Sequence, residues 1–351
     1  MPGWLPPMSR RLVTLIIAGV CVVVGLAVAA LIPVPYVALT PGPTLNTLGS
    51  PDGQPLIQIS GVKTYPTSGN LNMVTISYSG GPGTRFNIFN ALDAWLTPDD
   101  AVVPQSEIFS AGQSQQQVTQ QDTQEMVGSQ EDATAAALCY LNVKFQTVDQ
   151  ISSTVKGTPA YGVLQPGDVI TAVDGKPVNC KNSVVTMIRS RTPGAPVTLT
   201  IKRHGAVKTI RLNTKDVSGE PVVGIELGSP TYVFPFSVKV YIPGIGGPSA
   251  GMMFALAIID KLSPDNLTGG KFIAGTGEID PTGAVEPIGG IQQKMAGARD
   301  AGATIFLTPA GNCSDTVGAV PSGLRLVKVS TLKQAVTYLN AIRQGRPVPS
   351  C

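Results

Sequence analysis

One serine in the stretch GGPSAG, Gly246 to Gly251, stands just before the apolar run MMFALAII. A serine hydroxyl becomes a nucleophile only when a base takes its proton. Histidine usually supplies that base, and the chain has a single histidine, His204. It lies between Arg203 and Gly205 in a polar hairpin turn, where a solvated side chain is the ordinary state. A Ser-His-Asp arrangement is nearly excluded by counting, and lysine is the natural alternative. A lysine acts as a base only when burial or a positive neighbour lowers its pKa by several units. Lys294, in IGGIQQKMAGA, has Ile291, Met295 and Ala298 at helical spacing around it. Lys261 follows Asp260 at a helix end and reads as solvated; Lys271 leads into a strand. Both central residues also have plain structural readings. Ser249 suits a helix N-cap, whose oxygen accepts a bond from a backbone N–H. Lys294 suits an ordinary surface position on a helix.

The elements that would position these residues are legible in outline. After residue 216, alternating strand-like and helical stretches form an α/β unit at 217–345, with a short tail at 346–351. SAGMMFALAIIDKLS is an apolar helix, GGKFIAGTGEID a strand ending in a turn, and GGIQQKMAGARDAGA a helix with a Gly-Gly entry. TIFLTPAGN and LRLVKVS are strands, and a closing helix is capped by Thr331 and stopped by Gly345. Upstream, residues 33–55 are rich in Pro and Gly and read as an extended stalk. PLIQIS and LNMVTISYS, in a strand-rich region at 56–124, read as a hairpin or as neighbouring strands. Phe86, Phe89, Leu92 and Leu96 mark a short amphipathic helix, and the Gln- and Ser-rich residues 104–124 a polar linker or a solvated helix start.

Residues 125–216 make a small unit of several strands with one helix, NSVVTMIRSR, and a hairpin turning at His204-Gly205. The stretch GTPAYGVLQPGDVITAVDGKPV, Gly157 to Val178, resembles a PDZ domain of the kind found in bacterial secreted proteases. The resemblance implies that an extended peptide is added as a strand to a sheet edge. It implies that backbone amides near Tyr140, Leu141, Asn142 and Val143 meet the peptide carboxylate, with Asn142 where the family usually has glycine.

GPSAG, then GTGEID, then EPIGGIQQK, in that order and separation, resemble the proteolytic domain of Lon proteases, from about Val238 to Leu339. The resemblance implies a Ser-Lys pair: Ser249 as nucleophile, Lys294 as general base, and Thr276 helping to position the lysine amine. Gly247 and Pro248 complete the serine motif, and backbone N–H groups near its glycines would hold the oxyanion. Many Lon enzymes carry an aspartate where this chain has Gly246. No GxxxxGK[ST] phosphate loop occurs in the sequence, so ATP-independent action and no cofactor are expected. No CxxC or His-Cys cluster suggests a metal.

Leu12 to Ile32 carry no charge and are long enough to cross a bilayer, with Arg10 and Arg11 just before them. The positive-inside rule then puts residues 1–11 in the cytoplasm, 12–32 in the membrane and the remainder outside. AVAA at Ala27–Ala30 resembles a signal-peptide cleavage site, but the apolar run is long for one. An oxidising compartment permits one disulfide between Cys139 and Cys180 and one between Cys313 and Cys351. Net charge is +3 and no aromatic-basic stripe occurs, so nucleic acid is not an expected partner.

The expected fold class is therefore α+β: a transmembrane helix, a PDZ-like β-rich domain and a Lon-like α/β unit. The arrangement resembles the YlbL-like group of secreted Lon-type proteases, in which residues 56–79 complete the protease unit around an inserted PDZ domain. The expected function is a membrane-anchored serine endopeptidase acting on unfolded or flexible protein segments, with a homo-oligomer as an option. The competing reading is a tethered PDZ adaptor with a Lon-like platform that does not cleave.

Overall fold

Arg10 to Leu31 form helix α1 (Arg10–Leu31), whose mean hydropathy reaches 2.9 and whose length is unburied by the rest of the chain. At 1.5 Å per residue it extends about 33 Å, the thickness of a hydrocarbon core. The computed structural model describes residues 9–351; most of the segment 1–11 expected in the cytoplasm lies outside the described residues.

The chain enters a sheet directly after α1. The segment expected as a stalk is instead strand β1 (Tyr36–Asn46). Its prolines are accommodated by a register shift between Pro41 and Thr44, where the ladder is interrupted and no amide is needed. β2 (Ile57–Ser60) and β3 (Asn70–Gly80) do not pair with each other. β3 runs antiparallel to β1, and β2 pairs with Ser237–Val240. Helix α2 (Ile88–Leu96) starts at a capping box between Asn87 and Asn90. β4 (Ala101–Pro104) pairs with the outer edge of β1, and the single turn α3 (Gln105–Ile108) follows.

The Gln-rich stretch is no linker. It forms the first turns of α4 (Gln115–Tyr140), a 26-residue helix capped by Ser114 and Gln117. Further along α4, Ala133, Ala136 and Ala137 join the main core. This helix, assigned from sequence to the following unit, packs instead into the main core, which it shares with residues 250–259 and 327–342.

The next unit has its own core around Ile170, Leu199 and Ile201. Its strands are β5 (Gln146–Thr154), β6 (Val169–Val173), β7 (Lys176–Pro177), β8 (Pro196–Arg203) and β9 (Ala206–Asn213). β8 and β9 form the hairpin, with His204 and Gly205 both at positive φ. Helix α5 (Val184–Arg189) precedes β8; β10 (Lys215–Val217), β11 (Glu220–Val222), β12 (Ile225–Leu227) and β13 (Thr231–Val233) follow β9. β12 and β13 both pair with β5, so the unit runs on to β13 rather than stopping at 216. A Cys139–Cys180 disulfide and a 2.7 Å bond from the Tyr232 hydroxyl to Asp132 Oδ1 tie it to α4.

The chain then returns through β14 (Ser237–Val240), α6 (Gly251–Leu262), β15 (Phe272–Gly275), β16 (Glu278–Ile279), β17 (Val285–Glu286), α7 (Ile291–Asp300), β18 (Ile305–Pro309), β19 (Arg325–Val329) and α8 (Leu332–Arg343). One six-stranded sheet, in the order β19-β18-β15-β3-β1-β4, unites β15, β18 and β19 with three N-terminal strands, while β14 pairs with β2 and β16 with β17. Alternation along the strands divides the core. Leu71, Met73, Ile273 and Leu307 face α6, α8 and α4, while Val74, Ala274 and Phe306 face α7. A Cys313–Cys351 disulfide fastens the C-terminus.

Candidate active site

The loop from Gly246 to Ala250 leads into α6 and is held by α4. Ser129 Oγ donates to the Pro248 carbonyl at 2.8 Å, and the Gly247 N–H donates to the Asp122 carbonyl at 3.0 Å. A Cβ at Gly246 would lie 2.5 Å from Asp122 Cβ, so the aspartate of the Lon pattern has no room here.

Ser249 is not a helix cap. The N-cap of α6 is Ala250, and its side chain makes no capping bond. The Ser249 hydroxyl instead lies 2.8 Å from Lys294 Nζ. Thr276, which directly follows β15, completes the arrangement. Its hydroxyl donates to the Ser249 carbonyl at 2.9 Å and accepts from Lys294 Nζ at 3.2 Å. The Gly277 N–H also donates to the Ser249 carbonyl, at 2.8 Å. The loop before α6 and the first turn of α7 thus meet beyond the carboxyl end of β15, although the two helices cover opposite faces of the sheet. β15 approaches α6 closely because it ends in glycine: a Cβ at Gly275 would lie 2.8 Å from Met253 Sδ.

Lys294 is no surface lysine. It is 3 % exposed, and among the described residues it forms no salt bridge. Burial penalises its ammonium and lowers its pKa from 10.5 to about 7. The charged amine donates to Ser249 Oγ, and an uncharged amine in the same place turns a lone pair to that hydroxyl. The amine lies within hydrogen-bond reach of the hydroxyl, the geometry that a general base requires.

Among the described residues, the N–H groups of Ser249 and Ala250 have no acceptor in the chain, whereas that of Gly247 is engaged with Asp122. The two free donors lie beside the Ser249 hydroxyl and suit an oxyanion. A cleft of about 410 Å³ opens over them, lined by Met73, Thr75, Tyr78, Asp122 and Met126. Burial, and secondarily Glu125, pushes the Asp122 carboxyl above the usual range. One wall is β3. β15 pairs with it only as far as Met73, so its edge beyond that point is open toward the cleft.

The residues assigned from sequence to peptide binding cluster elsewhere. Tyr140 ends α4, Leu141 is its C-cap, and the Val143 N–H closes the turn on the Leu138 carbonyl. Asn142 has a φ of 57° and accepts from Lys181 Nζ at 2.7 Å, beside the Cys139–Cys180 bridge. The apolar groove of this unit, about 360 Å³, lies between α5 and the 221–227 segment, with Val185, Ile188, Ile225 and Leu227 on its walls. None of Tyr140 to Val143 lines it. The sequence signal for it was Gly224 between apolar neighbours in VVGIEL, just before the edge strand β12.

The fold and site define a mixed α/β protein that presents a serine to a buried lysine and has a second, β-rich domain set into the chain. Residues 238–340 match the Lon protease (S16) C-terminal proteolytic domain, and residues 140–214 match the PDZ domain; the chain carries both. It is similar to Lon protease 1 of Sorangium cellulosum (strain So ce56), 40% identical over 103 residues, covering 28% of this chain and 12% of that protein. It is similar to Lon protease 1 of Bacillus subtilis (strain 168), 31% identical over 121 residues, covering 32% of this chain and 15% of that protein. The chain therefore spans only a small part of the length of these curated relatives. It is also similar to the crystal structure of the PDZ domain of an SdrC-like protein from Listeria innocua. That match is 26% identical, covers 23% of this chain and 92% of that one, and has a TM-score of 0.22.

Proposed function

We propose that this chain is an ATP-independent, membrane-anchored serine endopeptidase in which Ser249 is the nucleophile and Lys294 the general base. The observation that carries the reading is the 2.8 Å contact between a hydroxyl and an amine whose pKa burial has brought to about 7. Ser249 Oγ attacks the scissile carbonyl carbon as its proton passes to Lys294 Nζ. The oxyanion rests on the N–H groups of Ser249 and Ala250. The C–N bond then breaks, Lys294 returns the proton to the leaving amine, and an acyl-enzyme remains. Water adds to it with Lys294 again as base, releasing the acid and restoring Ser249.

The open edge of β3 suits a substrate in extended form, and the groove beside edge strand β12 suits a second extended segment held by the PDZ domain. The sequence contains no GxxxxGK[ST] loop, so substrates must reach the cleft already unfolded or as flexible segments. Arg10 and Arg11, the first residues of α1, favour the bulk of the chain outside the cytoplasm, and two disulfides suit an oxidising compartment.

The test is labelling of the full chain in lipid nanodiscs with a fluorophosphonate, without ATP, alongside cleavage of an unfolded protein. The adduct should map to Ser249. Its rate of formation should rise with pH around a midpoint of about 7, because below that value the base holds a proton and cannot accept another. A histidine would give a similar midpoint, but His204 lies in the β8–β9 turn of the PDZ unit, and His204→Gln should leave the profile unchanged. A folded chain that neither labels nor cleaves leaves the adaptor reading in possession.

A further inference from the structure

Helix α2 has two unlike faces. Ala91 and Ala94 are buried and pack with Ala38 of β1 and with Phe86. The opposite side carries Ile88, Phe89, Leu92, Trp95 and Leu96, all exposed; Trp95 and Leu96 are each 72 % exposed. A nine-residue helix that bares five large apolar side chains on one side has no reason to do so in water.

Its position says what covers that face. The cap residue Asn87 donates through Nδ2 to the Ala30 carbonyl in the last turn of α1, at 3.0 Å. Pro33, two residues beyond the end of α1, bridges to Asn87, and the Val34 N–H donates to the Phe86 carbonyl. α2 therefore starts at the level where α1 ends, next to the exposed Leu31 and Ile32. If α1 spans the bilayer, that level is the lipid interface. Tryptophan is the residue best suited there, with an apolar body and one polar N–H. Asp93, within α2, and Asp99 and Asp100 just after it are acidic, so apolar insertion rather than attraction to anionic headgroups would drive contact.

We propose that α2 lies in the headgroup and upper acyl region of the leaflet into which α1 emerges, and that it docks the protease sheet onto the membrane. The proposal rests on reading α1 as a membrane span. α1 and α2 then form a two-point attachment. Because α2 packs on β1, and β1 in turn contacts α7, the sheet that carries the site is held at the bilayer rather than swinging from a tether.

The chain has two tryptophans, so Trp4→Phe leaves Trp95 as the sole indole reporter. The full-length Trp4→Phe chain is placed in phosphatidylcholine vesicles with bromine near the top of the acyl chains, and in the same vesicles without bromine. Trp95 emission should fall at least about twofold with the brominated lipid and resist aqueous iodide. Adding Leu92→Asp and Leu96→Asp should reverse both results while the protein stays in the membrane on carbonate washing. Emission quenched by iodide and not by bromolipid puts the face in water and overturns the proposal. Emission untouched by either puts it against protein, a second copy or a partner, and overturns it equally. A chain that carbonate releases from vesicles removes the anchor reading and this proposal together; a carbonate-resistant chain with Trp95 in water removes this proposal alone.

Discussion

Replacing Ser249 with alanine should abolish hydrolysis of an unfolded protein substrate: kcat is expected to fall by about 10⁴-fold or more, while KM changes by less than about threefold. Removing Oγ takes away the atom proposed to form the acyl bond, but it leaves the cleft walls and the groove of the PDZ domain untouched. Alanine also keeps the backbone that presents the two free N–H groups, since the Ser249 carbonyl is held by Thr276 and Gly277 rather than by its own side chain. The variant should fold, bind peptide as the wild type does and fail to react with a fluorophosphonate. Equal cleavage by the two proteins would assign the hydrolysis to another residue or to a contaminant.

Parts of this arrangement could be read before any coordinates. The single histidine and the order of GPSAG, GTGEID and EPIGGIQQK were enough to nominate Ser249, Thr276 and Lys294, because nucleophile, support and base each carry their own local glycine pattern. What the sequence could not supply was the burial of Lys294. That depends on α7 closing against β1 and β3, strands that lie more than 200 residues upstream of it. β1 was misread for a local reason: Pro41, Gly42 and Pro43 look like a stalk, and only the partner strand shows that they fall in a register shift. For the start of α4 the sequence offered a linker and a solvated helix start side by side, because its first turns are rich in glutamine, compatible with a helix but lacking an apolar stripe to announce it; the helix start is the one that forms. The apolar groove beside α5 was not visible in the sequence, for a topological reason. The segment 221–227 on its wall is placed by β12 pairing with β5, across some 70 intervening residues, and no local pattern encodes that choice. The interfacial face of α2 was visible as helical spacing. Its meaning was not, since the same spacing ordinarily marks a core-facing stripe.

Lys294→Met should move activity and stability in opposite directions. Without a base the Ser249 hydroxyl keeps its proton, and kcat falls by about 10⁴-fold. Because the two side chains act as one unit, Ser249→Ala combined with Lys294→Met should cost little more than either change alone. Stability responds to the other property of the amine. At pH 6 it is charged in the folded and unfolded chain alike, and the folded state bears the full cost of burying an ammonium. The fall in pKa from 10.5 to about 7 sets that cost on the order of 4–5 kcal/mol. Between about pH 7 and 10.5 only the unfolded chain still binds the proton, so wild-type stability rises with pH through this window; above it the cost is gone. Methionine is unbranched, of similar length and adaptable in a core. Loss of the bonds to Ser249 and Thr276 offsets roughly 1–2 kcal/mol of the gain. The protease unit should therefore melt roughly 5–10 °C higher than wild type at pH 6, with the difference shrinking toward zero by about pH 10. Calorimetry of the two proteins across that range decides the matter. A Lys294→Met protein less stable than wild type at pH 6, with no trend toward higher pH, would mean that this amine is not a buried charge, and the base assigned to Ser249 would be lost with it.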